Sequence, residues 1–320
     1  MAEMDRVTGT VAVLKGGRSA EREVSLNTGS QVAAALSERG YGVVEIDSGR
    51  ADFIDRLREA RPDAVFICLH GRFGEDGTVQ GLLELLEIPY VGSGVLASAL
   101  AMDKVMSKRL FAQAGLASPS YVHVCAGQPW SESEITAALG PKTVVKPACE
   151  GSSVGMTIVH SPDELASGIS KALLCDDDVL VERFVEGIEV TVGVLGNADP
   201  TVLPTLEIVP SHEFYDYESK YVPGMSAHII PARVSQQARD ECQRLALAAH
   251  LALGCSGMSR ADTIVEADGA VWLLEVNTIP GMTSTSLLPD AARAAGIEFP
   301  DLCDRLVRLA LEAWARRTRG

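Results

Sequence analysis

The first hundred residues alternate short apolar runs with amphipathic stretches, and this alternation restricts the fold more than any other feature of the chain. Val11 to Leu14 is apolar and runs into Gly16-Gly17, the pattern of a buried strand entering a loop. Glu23 to Arg39 has helical periodicity, with Val24, Val32, Ala35 and Leu36 on one face. Tyr41 to Ile46 then reads as strand, Phe53 to Ala60 as helix, and Ala64 to Leu69 as a strand ending at His70-Gly71. Strand–helix–strand spacing of this kind predicts a parallel sheet with helices on both faces. Ligands of such sheets bind in loops at the carboxyl ends of the strands. The segments from Gly16 to Glu21 and from His70 to Arg72 occupy that place.

A second unit starts near Ala101. Lys104 to Ala114 reads as a helix stopped by Gly115. Thr143 to Lys146 and Val179 to Val185 read as strands, with a helix over Pro162 to Leu174 between them. After Gly187 come β-runs at Glu189 to Leu195 and Val202 to Val209, a Tyr-rich charged loop, and a long helix over Gln236 to Leu253. Ser259 to Glu266 and Val271 to Glu275 flank Ala267-Asp268-Gly269-Ala270, which predicts a hairpin. Phe299 to Arg317 is an amphipathic helix.

The 320 residues, 47% of them apolar, suffice for two or three packed units. A formal charge of −15 repels nucleic acid and anionic lipid, so neither is expected as a partner. A chain this acidic that handled a polyanion would have to supply local cations. Its seven cysteines are odd in number, widely spaced and without a CxxC pair, which argues for reduced thiols in a cytosol rather than a disulfide framework or zinc site. No secretory leader pattern opens the chain, and no apolar run approaches the ~18 residues of a membrane span.

Four constellations carry chemistry. Lys146 is followed by Pro147-Ala148-Cys149-Glu150-Gly151-Ser152-Ser153-Val154-Gly155, a lysine delivered by a strand into a Gly/Ser loop. Glycines let backbone N–H groups approach phosphate oxygens and serines add donors, although an ordinary turn has the same composition. Asp262 on one strand of the hairpin and Glu275 and Asn277 on the other bring hard oxygen donors to one end, which suits Mg²⁺. Phe214-Tyr215-Asp216-Tyr217-Glu218-Ser219-Lys220-Tyr221 has the polar tip and aromatic anchors of a lid, or of an exposed loop. Glu21, beside Ser19 and Arg22, opens a helix, where a carboxylate also complements the helix dipole.

On these residues the chain resembles the D-alanine–D-alanine ligases of the ATP-grasp superfamily over nearly its whole length. The matching segments are GGRSAEREVSLNTG, LHGRFGEDGTVQGLLELLEIPYVGSG, ASALAMDK, VVKPACEGSSVGM, FYDYESKY and LLEVNTIPGMTSTSLLP, in the family's order and spacing. The resemblance implies an α/β three-domain ATP-grasp fold. A Rossmann-like parallel-sheet substrate domain would span 1–100, a central ATP-binding domain 101–185, and a C-terminal domain with lid and metal site 186–320. The reaction implied is ATP-dependent joining of two D-alanine molecules through a D-alanyl phosphate, for peptidoglycan precursors, by a cytoplasmic homodimer.

Residue by residue, the resemblance implies that Lys104 and Lys146 hold ATP phosphates, with Ser152 and Ser153 as loop donors and Lys220 reaching in from the lid. Glu182, Arg183 and Val185 would frame the adenine and Glu189 the ribose. Asp262, Glu275 and Asn277 would hold two Mg²⁺, for which Mn²⁺ could substitute, with Glu275 bridging. Glu21 would bind the ammonium of the first D-alanine, and His70 would lie near that substrate. Arg260 and the backbone at Gly281 would stabilise the oxyanion. Ser286 and Leu287 would receive the carboxylate of the second D-alanine. Glu21, Ser152 and Tyr221 would link three loops by hydrogen bonds. Cys149, Arg183 and Thr263 depart from the residues more usual at their positions, and none is at a reacting atom. The sequence leaves open D-lactate or D-serine as second substrate, a related D-amino-acid ligase of a secondary pathway, and a regulatory protein with a dead site. Tyr221 argues against the lactate version, and the intact Asp262, Glu275 and Asn277 argue against the dead site.

Overall fold

The computed structural model describes residues 9–19, 21–151, 154–210 and 226–317. Three sheets organise them. The first is parallel, in the order β2-β1-β3, from β1 (Thr10–Lys15), β2 (Gly42–Asp47) and β3 (Ala64–Ile67). Its strands are apolar on both faces because both are covered. Val11 and Val13 pack with α1 (Arg22–Glu38), while Ala12 and Leu14 turn to Leu57 of α2 (Phe53–Ala60) and to Val79 and Leu83 of α3 (Thr78–Leu85).

The sheet has a further cover from the far end of the chain. The last helix, residues Phe299–Arg317, packs Leu302, Leu306 and Val307 into the same cluster as Val11 and Phe66. A helix from the segment 186–320 thus completes the core of the first sheet. A second helix, α4 (Val95–Met102), runs across position 100, where the sequence suggests a boundary.

The second sheet is antiparallel, in the order β4-β7-β5-β6: β4 (Tyr121–Cys125), β5 (Thr143–Pro147), β6 (Thr157–Val159) and β7 (Asp178–Arg183). One face packs Val124, Val145, Val179 and Val181 on α6 (Glu132–Leu139) and α7 (Leu165–Ala172). The other carries Leu180 against Val105 of α5 (Lys104–Gln113). The helix expected over Pro162 to Leu174 begins as a 3-10 turn at Pro162–Glu164, with proline where the missing N–H costs nothing.

The third sheet runs β11-β10-β8-β12-β13, with β9 beside β8. Its strands are β8 (Ile188–Gly196), β9 (Thr201–Val202), β10 (Leu206–Pro210), β11 (Ser226–Ile229), β12 (Gly257–Val265) and β13 (Val271–Asn277). The single β-run expected from Val202 to Val209 is two strands. Pro204 has no N–H for a ladder, and the chain breaks there. Val190, Val192, Ala261 and Leu273 bury against α8 (Gln236–Leu253). After a short helix α9 (Leu287–Ala294) the chain ends in α10, the Phe299–Arg317 helix.

Candidate active site

The faces of the second and third sheets that carry Lys146 and Arg260 line a crevice of ≈1310 Å³, which the loops of the first sheet close at one end. On β12, Arg260, Asp262 and Ile264 alternate with buried neighbours and line it. On β13 the alternation is broken. The ladder pairs Asp262 with Glu275 but Thr263 with Leu273, so Leu274 is an extra, bulged residue. The bulge brings the adjacent residues Leu274 and Glu275, and then Asn277, to the crevice. An apolar wall and the acidic end of one strand therefore share a surface.

Asp262 is held from three sides. Its oxygens accept from Arg260 Nε (2.9 Å) and Nη2 (2.7 Å), Thr191 Oγ1 (2.6 Å) and Asn277 Nδ2 (3.1 Å). Glu275 faces Lys104, whose Nζ is 3.8 Å away. Lys104 is the first residue of α5, a helix capped by Asp103, which accepts from the backbone N–H groups of Val105 and Met106. The Lys104 ammonium also donates to the carbonyl of Glu150 at 2.6 Å and so grips the Gly/Ser loop.

Lys146 projects from β5 and Glu182 from β7, and the two form an ion pair across the sheet. Glu182 has a second cation, Lys108 of α5, whose side chain is fully buried. Burial opposes ionisation of Glu182, but the two ammonium groups prevail and hold its carboxyl below the usual carboxylate range. Burial draws the Lys108 ammonium down despite Glu182. Val185 and Glu189 line the crevice. Arg183 does too, while its guanidinium binds Glu266 at 3.3 Å and stacks over Trp272 at 4.7 Å.

At the opposite end, Glu21 is buried at the start of α1. Arg22 forks onto Asp47 at 2.9 and 2.5 Å and donates to the carbonyl of Gly17, which pins this loop and pulls the Asp47 carboxyl to about 2. Gly71 sits at φ +67°, and a β-carbon there would meet Glu21 Oε2 at 3.1 Å; the missing side chain gives Glu21 its space. Glu75 lines the crevice beside it and accepts from the Gly71 N–H at 2.6 Å. Burial, then the neighbouring Glu21, push the Glu75 carboxyl up to about 8. His70 is buried, its pKa lowered mainly by burial, and its Nε2 has no hydrogen-bond partner among the described residues.

The loop after β13 completes the wall with Gly281, Ser286 and Leu287. Ser286 precedes α9 but does not cap it; its hydroxyl takes the Thr283 N–H at 3.1 Å and meets Thr283 Oγ1 at 2.7 Å. The first-turn N–H groups of α9 therefore lack a side-chain cap.

Fifteen of the nineteen candidate residues thus face one crevice. The other four, Ser152, Ser153, Lys220 and Tyr221, lie outside the described residues, as does the expected lid. Sequence reading missed Glu75 and Lys108. Glu75 lies within the HGRFGEDG stretch, and Lys108 follows Lys104 at the i, i+4 spacing that puts two lysines on one helix face.

A cation-bearing antiparallel sheet and a carboxylate-bearing one, closed on a crevice beside a parallel α/β sheet, define an enzyme of the ATP-grasp class. The sequence profile described as D-ala D-ala ligase C-terminus matches residues 110–308, and that of the D-ala D-ala ligase N-terminus matches 49–93. The chain belongs to the D-alanine–D-alanine ligase family. It is 50% identical over 315 residues to the D-alanine–D-alanine ligase of Pelotomaculum thermopropionicum, covering 97% of this chain and 99% of that one. It is 53% identical over 303 residues to that of Desulforudis audaxviator, covering 94% and 98%. The crystal structure of the Bacillus anthracis D-alanine–D-alanine ligase complexed with ATP superposes with a TM-score of 0.85 at 32% identity, covering 97% of this chain and 99% of that one.

Proposed function

We propose that this chain is an ADP-forming ligase that joins two D-alanine molecules into D-alanyl-D-alanine through a D-alanyl phosphate, as a step of peptidoglycan precursor synthesis. The observation that carries the reading is that Lys104 and Lys146, Asp262 and Glu275, and Glu21 all line one crevice. A carboxylate is a poor electrophile, and transfer of the ATP γ-phosphoryl group to it creates a leaving group. Both steps gather negative charge, so catalysis rests on positioning and neutralisation. Lys104 and Lys146 take the phosphates, with Ser152, Ser153 and Lys220 as further donors. Glu182, Arg183 and Val185 frame the adenine, and Glu189 takes the ribose.

Asp262, Glu275 and Asn277 fit Mg²⁺: two carboxylates and an amide, all hard oxygen donors, on paired strands facing the crevice. In this reading the three residues would hold two ions, for which Mn²⁺ could substitute. Bound there, the ions would neutralise phosphate charge and orient the transferring group. Arg260, which rests on Asp262, would turn to the developing oxyanion together with the Gly281 N–H. Glu21 takes the first ammonium, and the neutral His70, whose Nε2 is unsatisfied, offers a donor or acceptor beside it. The uncapped start of α9, with Ser286 and Leu287, receives the second carboxylate.

Glu21, Ser152 and Tyr221 join the closing loops, which exclude water from the acyl phosphate. Units 1–100, 101–185 and 186–320 act as the substrate, nucleotide and metal-bearing parts. We place the enzyme in the cytoplasm, as a homodimer without nucleic-acid or membrane partners; its seven unpaired thiols support that compartment. No described helix is long and apolar enough to cross a membrane. The test is phosphate release with Mg-ATP against a panel of D-amino and D-hydroxy acids, with products identified by mass. D-alanine should give the dipeptide and L-alanine should not. A product from another acid pair and none from D-alanine would overturn the substrate assignment.

A further inference from the structure

The face of the second sheet that carries Lys146 and Glu182 continues away from the crevice to another cluster. β4 and β7 pair with Cys125 opposite Asp178 and His123 opposite Leu180. Two-residue alternation therefore turns His123, Cys125 and Asp178 to one side of adjacent strands. His123 Nε2 is 2.7 Å from Asp178 Oδ1, and Cys125 Sγ is 3.5 Å from the same nitrogen. One donor atom from each residue lies within 4.8 Å of the others, and all three residues are partly exposed. None of them lines the crevice.

We propose that His123, Cys125 and Asp178 form a surface site for a borderline divalent transition-metal cation, with Zn²⁺ as the best fit, separate from the nucleotide crevice. Thiolate, imidazole and carboxylate are the three donor types zinc accepts, whereas Mg²⁺ takes oxygen alone. Around a tetrahedral zinc with bonds of ~2.0–2.3 Å, donor atoms stand roughly 3.3–3.8 Å apart. The sulfur–nitrogen pair already meets that spacing. The nitrogen–oxygen pair is closer because it is hydrogen-bonded, and the Asp178 side chain, 49% exposed, has room to rotate outward. Solvent supplies the fourth ligand. On binding, the Cys125 S–H bond breaks, its proton goes to solvent and the S–Zn bond forms; no electron is transferred.

The site adjoins the start of the Gly/Ser loop. The Asp178 backbone carbonyl accepts from the Ala148 N–H (2.9 Å) and its backbone N–H donates to Asp176 Oδ1 (3.2 Å), while Asp176 Oδ2 accepts from the Cys149 N–H (2.7 Å). A cation on Asp178 braces the strand end from which that loop leaves, so occupancy should raise the thermal midpoint.

The test is a titration of the reduced, metal-free full chain with cobalt(II) chloride, followed by absorbance. The expected result is a thiolate-to-cobalt charge-transfer band that saturates at one ion per chain and is abolished by zinc chloride. Cobalt in the oxygen-lined crevice gives no such band. Cys125→Ser should lose the band with an unchanged circular dichroism spectrum, and His123→Gln should weaken cobalt binding by about tenfold or more. Cys149→Ser and Cys175→Ser, which remove the two exposed thiols, should keep it. Zinc should raise the thermal midpoint of the parent but not of Cys125→Ser. A parent without the band, or a band that survives Cys125→Ser, overturns the site.

Discussion

Lys108→Met tests whether Glu182 needs both of its cations. Methionine keeps the length, apolar stem and helix preference of lysine and removes only the charge. The Lys108 side chain is 0% exposed and that of Glu182 3%, so water cannot replace the lost partner. Removing one partner of a buried ion pair costs about 3–5 kcal/mol. Lys146 remains on the other oxygen, 13% exposed, which points to the lower end, about 3 kcal/mol. At roughly 2 °C per kcal/mol for a chain of this size, the thermal midpoint should fall by about 6 °C. Lys146, now the sole partner of Glu182, should be drawn from the phosphates it is proposed to hold, and KM for ATP should rise roughly tenfold, equivalent to about 1.4 kcal/mol. The assays are calorimetry and coupled ADP release at saturating D-alanine. Glu182→Gln and the double variant complete a cycle, in which the double should cost less than the sum of the singles. A midpoint and KM near the parent's, or strict additivity, would refute the reasoning.

Three further outcomes follow from the same geometry. Glu275→Gln should lower turnover by at least ~10²-fold while the protein stays folded, because the metal charge Glu275 is proposed to help hold would contribute several kcal/mol; near-normal turnover would remove Glu275 from that role. With a carboxyl pushed up to about 8, Glu75 is neutral at pH 7, so Glu75→Gln should keep activity within about threefold there, the effect of a single hydrogen bond, and diverge from the parent above pH 8; a large loss at pH 7 would mean the ionised form is required. His250 is fully buried on Ser259, and burial lowers its pKa from 6.5 to about 4. The fold favours neutral imidazole, so this stability is complete above pH 6.5 and is lost as pH falls toward 4, by up to about 3 kcal/mol. His250→Gln should flatten that part of the stability–pH curve, and an unchanged slope would assign the acid loss elsewhere.

Local pattern carried much of this protein. The strand entering Gly16-Gly17, the helix over Gln236–Leu253, the helix over Phe299–Arg317 and the hairpin turning at Gly269 are all legible in one-dimensional periodicity and turn chemistry. These features depend on neighbours a few residues apart, and so on the order of residues alone. Fifteen candidate residues that line the crevice were legible because motif spacing and family resemblance name positions without needing their contacts. What pattern could not supply depends on residues distant in sequence. That α10 closes the first sheet requires Leu302 to find Val11. That Leu274 and Glu275 share the crevice requires the bulge at Asp262/Thr263, a property of two strands in register. The shifted Glu75 carboxyl comes from burial and from Glu21, 54 positions earlier in the chain. The double hold on Glu182 comes from lysines on another helix and another strand. Burial and charge proximity exist only once the chain is packed, so sequence set the elements and the roster of candidate residues, and tertiary structure decided the crevice's protonation, its internal partners and its shape.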